Sequence, residues 1–200
     1  MTEIEHQKRF VFLGMQGRFT FYVLSTFLER QCKPQAIIIY GDDPQQAYTD
    51  ISGIRIEVSS SGNSLLPLAR KFDVSLEYVR NKQLFPTLSK HTYDYIVTAC
   101  WPMLLSEQIL SSASEAAVNI HPSLLPLYRG ARPIRDQLAT RDQDFGVTVH
   151  KMNQRYDMGE IISQEALEKP YQENFKVIEK RCAIAGAGLV VQLIRQNKTG

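Results

Sequence analysis

Short, unbroken apolar runs separated by polar turns dominate the first half of this chain. Phe10–Leu13 is one, ending at Gly14, and Ala36–Tyr40 is a second, closed by Gly41-Asp42-Asp43-Pro44. Runs of this length bounded by turn residues predict buried strands. Between them, Phe19, Val23, Leu24, Phe27 and Leu28 recur at helical spacing, which predicts a helix over Arg18–Arg30. The same reading gives a short helix at Leu65–Phe72, a weaker strand at Val74–Val79, and strands at Tyr93–Ala99 and Ala116–Ile120. A helix at Pro133–Thr140 follows, with Pro at its first position. Strands at Gly146–His150 and Ile161–Leu167 and one long helix within Gln172–Gln196 complete the pattern. Ser59–Ser64 reads as a loop. The alternation of strand and helix over the first 120 residues predicts an α/β fold with a mostly parallel sheet and helices on both faces. Ligands in such sheets bind beyond the carboxyl ends of the strands, where Gly14, Cys100–Leu105 and Asn119–His121 fall.

Composition narrows the reading only slightly. The 200 residues are 44% hydrophobic and 22% charged, ordinary for a globular chain and suited to one α/β domain. A formal net charge of +2 neither calls for nor excludes an anionic partner. The apolar runs are too short to span a bilayer, and Met1–Arg9 has no secretory apolar core, so no membrane association is expected. Three widely spaced cysteines, Cys32, Cys100 and Cys182, fit reduced thiols and a cytoplasmic location. Cys100 reads as a buried, inert thiol. The spacing of His6, His91, His121 and His150 does not suggest a metal site.

Two segments carry candidate chemistry. Gly14-Met15-Gln16-Gly17-Arg18 joins a strand to a helix and has too few glycines for a dinucleotide fingerprint; a tight turn is favoured over a phosphate cradle. The richer segment is Val118-Asn119-Ile120-His121-Pro122-Ser123-Leu124-Leu125-Pro126-Leu127-Tyr128-Arg129-Gly130-Ala131. Asn119 and His121 stand two apart on a strand end and share a face. An amide donor beside an imidazole can stabilise an oxyanion and move a proton.

This segment resembles the 10-formyltetrahydrofolate-dependent formyltransferases, whose members carry an Asn-x-His pair followed by a Ser-Leu-Leu-Pro loop, here Ser123–Pro126. Tyr128–Ala131, Pro133-Ile134, Gly146–His150 and Asp157-Met158-Gly159-Glu160-Ile161-Ile162 match in the same order. The resemblance is strongest from Tyr93 to Leu167. It implies a Rossmann-like formyltransferase domain over residues 1–200, with no separate C-terminal domain. It further implies Asn119, His121 and Asp157 as catalytic residues and 10-formyltetrahydrofolate as formyl donor, with no metal. A folate crevice is expected between Cys100–Leu105 and Met152–Asp157, with Trp101, Met103, Leu104, Leu105, Asn153 and Tyr156 as contacts. Trp101 and Met158 depart from the family's usual residues.

The family formylates glycinamide ribonucleotide, initiator methionyl-tRNA or amino sugars on nucleotides. Gly41–Leu66 holds Asp42, Asp43, Asp50 and Glu57 against Arg55 alone, too few cations to grip a phosphate backbone. The stretch Arg129, Arg132, Arg135 and Arg141 reads as a solvated face. A small amine, with a nucleotide-linked amino sugar foremost, is therefore the expected acceptor. A truncated or divergent methionyl-tRNA formyltransferase is the runner-up, followed by a formyl-folate hydrolase or a non-catalytic folate-binding module. The apolar face of the last helix (Leu189, Val190, Leu193, Ile194) is expected to pack on the sheet, a homodimer contact being the alternative.

Overall fold

The computed structural model describes residues 7–42, 65–140 and 144–196. The predicted loop at Ser59–Ser64 and most of Gly41–Leu66 lie outside these residues, as does Arg141. The strands are β1 (Phe10–Met15), β2 (Ala36–Tyr40), β3 (Ser75–Val79), β4 (Tyr95–Ala99), β5 (Ala116–His121), β6 (Gly146–Lys151) and β7 (Ile161–Ala166). The helices are α1 (Arg18–Glu29), α2 (Leu65–Lys71), α3 (Asn81–Leu88), α4 (Glu107–Leu110), α5 (Pro133–Ala139) and α6 (Phe175–Arg195).

The strands form one sheet in the order β3-β2-β1-β4-β5-β6-β7. The first five run parallel, then β6 and β7 add antiparallel. The expected mostly parallel α/β sheet is what the chain forms. The chain moves outward from β1 to β3 and returns to place β4 beside β1, so the strand order reverses between these two. In open α/β sheets, ligands characteristically bind near such a reversal, beyond the carboxyl ends of the strands.

Alternate side chains of the apolar strands feed two cores, as burial on both faces of a parallel sheet requires. Phe10, Phe12, Ile37, Ile39, Val97, Val118 and Ile120 pack with Phe19, Val23 and Phe27 of α1 and the apolar side of α6. Val11, Leu13, Ile38, Ile96 and Ala117 pack with Leu84 and Leu88 of α3 and Ile109 of α4. Leu189, Val190 and Ile194 of α6 are buried in the first of these cores, as expected. Burying a side chain of this size contributes about 1.5–3 kcal/mol each.

Two helices have no counterpart in the periodic pattern. In α3 the first turn is polar and Pro86 interrupts the hydrogen-bond ladder; a capping bond from the Arg80 N–H to Gln83 Oε1 (2.9 Å) holds its start. The four residues of α4 are too few to show a period, and Ser106 caps them. β1 also runs further than expected, through Gly14 to Met15. A Cβ at Gly14 would stand 2.9 Å from the Phe12 ring and 3.0 Å from the Ala99 carbonyl oxygen. Close approach of β1 to β4 thus accounts for this glycine, which lies in the strand and not in the tight turn expected from Gly14 onward.

Candidate active site

Three polar side chains lie in a row across the sheet on the α3/α4 face. Thr98 on β4 is the register partner of Asn119 on β5, and Asn119 is the partner of His150 on β6. Thr98 is fully buried and His150 is 2% exposed, so their polar atoms must find protein partners. The Thr98 hydroxyl donates to Asn119 Oδ1 (2.8 Å), and Asn119 Nδ2 lies 3.1 Å from His150 Nε2. The other nitrogen of that ring, Nδ1, is 2.8 Å from the Lys151 carbonyl. A carbonyl only accepts, so Nδ1 carries the proton of the neutral ring and Nε2 accepts from the Asn119 amide. Asn119 keeps one N–H beyond this bond.

His121 follows two residues later and is 3% exposed. Its Nε2 donates to the Tyr128 carbonyl (3.0 Å), which leaves Nδ1 of the neutral ring without a proton. Asp157 Oδ1 lies 3.4 Å from this Nδ1 and 3.7 Å from His150 Nε2. Burial pushes the His121 pKa below its ordinary value, and the charge of Asp157 and the Tyr128 carbonyl offset this only in part. Burial would raise the Asp157 pKa, but the positive charge that the His150 and His121 rings carry when protonated, together with the Gly130 N–H, outweighs it and lowers the pKa. At neutral pH the pair is therefore a neutral imidazole facing a carboxylate, poised to take a proton between them.

The loop bearing Asp157 is locked from two sides. Asp157 has a left-handed backbone (φ 53°), its Oδ2 accepts from the Gly130 N–H (2.9 Å), and its carbonyl accepts from Arg129 Nε (2.9 Å). Two residues on, a Cβ at Gly159 would collide with the Lys151 carbonyl oxygen, the same oxygen that fixes His150. Close packing therefore explains the glycine of the Asp-x-Gly motif. Gly159→Ala is expected to displace that carbonyl, destabilise the fold by ~1–3 kcal/mol as overpacking does, and lower turnover as well. Thermal denaturation alongside steady-state kinetics checks both.

A buried polar brace supports the β5–α5 loop. Thr148 Oγ1 donates to the Ser123 carbonyl (2.6 Å) and accepts from the Leu125 N–H (3.0 Å). Gln137, fully buried on α5, donates to the Pro122 carbonyl (2.6 Å) and accepts from the Gly146 N–H (3.1 Å). These bonds set the position of Tyr128, whose carbonyl orients His121.

Beside this cluster lies a cavity of about 550 Å³ lined by Glu107, Leu110, Ser111, Met152, Asn153, Gln154, Arg155 and Met158. Of the six expected folate contacts, Asn153 lines it. Leu105 is instead a core residue, 2% exposed. Trp101 turns toward β2, its ring edge-on to Tyr40 at 5.6 Å between centroids. Leu104 and Tyr156 are exposed and Met103 is half-buried, outside that lining. Cys100 is exposed rather than buried and has a left-handed backbone (φ 56°). Among the described residues, no group of three or more His, Cys, Asp and Glu is placed to hold a metal ion, and no helix is long and apolar enough to cross a membrane.

The formyl transferase family model matches residues 9–194. The chain belongs to the formyl transferase family. It is 26% identical over 193 residues to the methionyl-tRNA formyltransferase of Wolbachia sp. subsp. Drosophila simulans (strain wRi), covering 94% of this chain and 60% of that protein. The methionyl-tRNA formyltransferase of Thermotoga maritima is 34% identical over 124 residues, 62% of this chain and 40% of the relative. The chain thus spans 60% or less of the length of these relatives. Among solved structures, phosphoribosylglycinamide formyltransferase from Streptococcus pneumoniae TIGR4 superposes with a TM-score of 0.70 at 19% identity, over 94% of this chain and 97% of that one. Glycinamide ribonucleotide transformylase 1 from Geobacillus kaustophilus gives a TM-score of 0.68 at 22% identity, over 95% and 98%. At such identities the superpositions establish a shared fold.

Within this formyl transferase domain, Asn119, His121 and Asp157 converge as sequence reading expects. Two further members of the cluster, His150 and Thr98, were not singled out by it. His150 stood in a matched block without a role. Its place beside Asn119 follows from the antiparallel register of β5 and β6, which no local pattern encodes.

Proposed function

We propose that this domain transfers a formyl group from 10-formyltetrahydrofolate to an unprotonated primary amine, with Asn119, His121 and Asp157 as its catalytic residues. The observation that carries the proposal is the proton-free Nδ1 of His121, 3.4 Å from the Asp157 carboxylate and beside the oriented Asn119 amide. The amine nitrogen attacks the formyl carbon and an oxyanion forms. The spare Asn119 N–H donates to that oxygen. The proton released by the amine passes to His121 Nδ1, giving an imidazolium that Asp157 stabilises and that can itself donate to the oxyanion. Collapse breaks the bond to N10 of the folate, which takes the proton back from His121. The products are the formamide and tetrahydrofolate, and the resting protonation is restored. The cavity lined by Leu110, Met152 and Met158, with Glu107, Gln154 and Arg155 as polar groups, offers space and chemistry for the folate's flat heterocycle.

For the acceptor we favour a small amine such as a nucleotide-linked amino sugar, because Gly41–Leu66 carries four acidic residues and one arginine. Methionyl-tRNA is the second reading, favoured by the similarity to methionyl-tRNA formyltransferases. A single assay separates these. Tetrahydrofolate release is followed with no amine, with nucleotide amino sugars, with glycinamide ribonucleotide and with methionyl-tRNA, and products are weighed by mass spectrometry. Release that requires an amino sugar, with a formylated product, is expected. Release only with methionyl-tRNA moves the assignment to the second reading. Release without any amine marks a hydrolase, and donor binding without release a non-catalytic module.

A further inference from the structure

We propose that Thr98 is a positioning residue for the formyl transfer proposed above, acting through Asn119 by dictating which end of its amide faces the substrate. The oxygen and nitrogen of an asparagine side chain occupy nearly the same space, so a strand-end Asn presents a donor or an acceptor depending on its neighbours. Oxyanion stabilisation needs the donor. Here the neighbours on both sides specify one orientation. His150, its proton committed to the Lys151 carbonyl, offers a bare Nε2 that demands the amide nitrogen. Thr98 supplies the complementary demand, since its hydroxyl donates to Asn119 Oδ1 at 2.8 Å. A reversed amide would set oxygen against the His150 lone pair and forfeit both bonds. Thr98 has no access to solvent, and among the described residues its hydroxyl otherwise reaches only Met152 Sδ, a weak acceptor at 3.4 Å. The group is therefore dedicated to Asn119. Position 98 continues the face occupied by Ile96, where an apolar side chain would pack without any hydrogen bond. Thr98 touches no reacting atom, and its effect passes entirely through the amide.

Thr98→Val, which preserves shape and removes the donor, tests this. Turnover is expected to fall about fivefold to tenfold, the worth of one neutral hydrogen bond. KM for 10-formyltetrahydrofolate should stay within about twofold, and Thr98→Ser should keep turnover near the parent value because it retains the hydroxyl. The Asn119 side-chain amide, assigned in ¹H–¹⁵N spectra by its loss in Asn119→Ala, should shift in Thr98→Val and not in Thr98→Ser. If Thr98→Val does not fold, Thr98→Ala takes its place with the same expectations. Unchanged turnover, an unmoved amide signal, or an equal loss in Thr98→Ser would each overturn the proposal. The spectroscopic arm needs no turnover. Should the parent protein transfer no formyl group, the functional reading fails while the amide clamp is still decided.

Discussion

His121→Ala is expected to reduce turnover by about 10³-fold, the largest single-residue effect in the domain. The substitution removes Nδ1, the proton-free nitrogen facing Asp157, and with it the acceptor for the proton that the attacking amine must lose. It also removes the cation that would form opposite the oxyanion. The fold should survive. The Ser123 hydroxyl donates first to the Leu127 carbonyl (2.8 Å) and lies 3.4 Å from the Tyr128 carbonyl, so losing the His121 Nε2 bond weakens the hold on this carbonyl without breaking the loop's other anchors. The polar brace through Thr148 and Gln137 does not involve the ring. A loss of stability of ~1–3 kcal/mol is still expected from the weakened carbonyl bond. Circular dichroism and thermal melts on the variant, run beside the tetrahydrofolate-release assay, separate this cost from the catalytic one. Donor binding, measured by titration calorimetry, should change little, because His121 lies outside the cavity lining. A folded His121→Ala protein with more than about a tenth of parental turnover would remove His121 from the proposed chemistry.

The part of this architecture visible in sequence is the part encoded over short distances. β1, β2 and β4 are legible because strands buried on both faces read as unbroken apolar runs. α1 and α6 are legible because each presents a long apolar stripe. α3 is not, because its polar first turn and Pro86 mask the period while tertiary packing of Leu84 and Leu88 holds it in place. The start of β4 moves from Tyr93 to Tyr95 because the Asp94 and Tyr95 N–H groups turn to the Arg9 carbonyl. The site divides along the same line. Asn119 and His121 sit in one continuous segment, and a strand end alone places them on one side. Thr98 and His150 come from strands 21 and 31 residues away from Asn119, and their row depends on two registers that are set by the whole sheet. Trp101 is a plain case of direction decided by packing. Its ring packs edge-on against Tyr40 at the end of β2, outside the cavity lining.

Asp157→Asn should lower turnover by about 10²-fold and also move the acid limb of the pH profile, and the limb and the plateau together distinguish its role from its alternatives. The proposed mechanism needs His121 neutral before attack. Burial already lowers the His121 pKa from the ordinary 6.5, so parental activity should hold below that pH and fail only as the depressed pKa is crossed. The charge of Asp157 is the largest influence raising that pKa. Removing the charge with the isosteric amide should lower it further, so the acid limb shifts to lower pH even as the plateau drops. The drop has the same origin: the imidazolium formed during transfer loses the carboxylate that stabilises it. The bond from the Gly130 N–H can persist to the asparagine oxygen, so the loop should keep its path. Were Asp157 itself the titrating base, the parental limb would fall below the ordinary aspartate value of 3.8, because its pKa is lowered, and it would vanish in the variant. Were Asp157 only a loop anchor, the limb would still shift with the lost charge but the plateau would hardly change. Profiles of kcat against pH for the parent and Asp157→Asn, with folding checked at each pH, decide among the three.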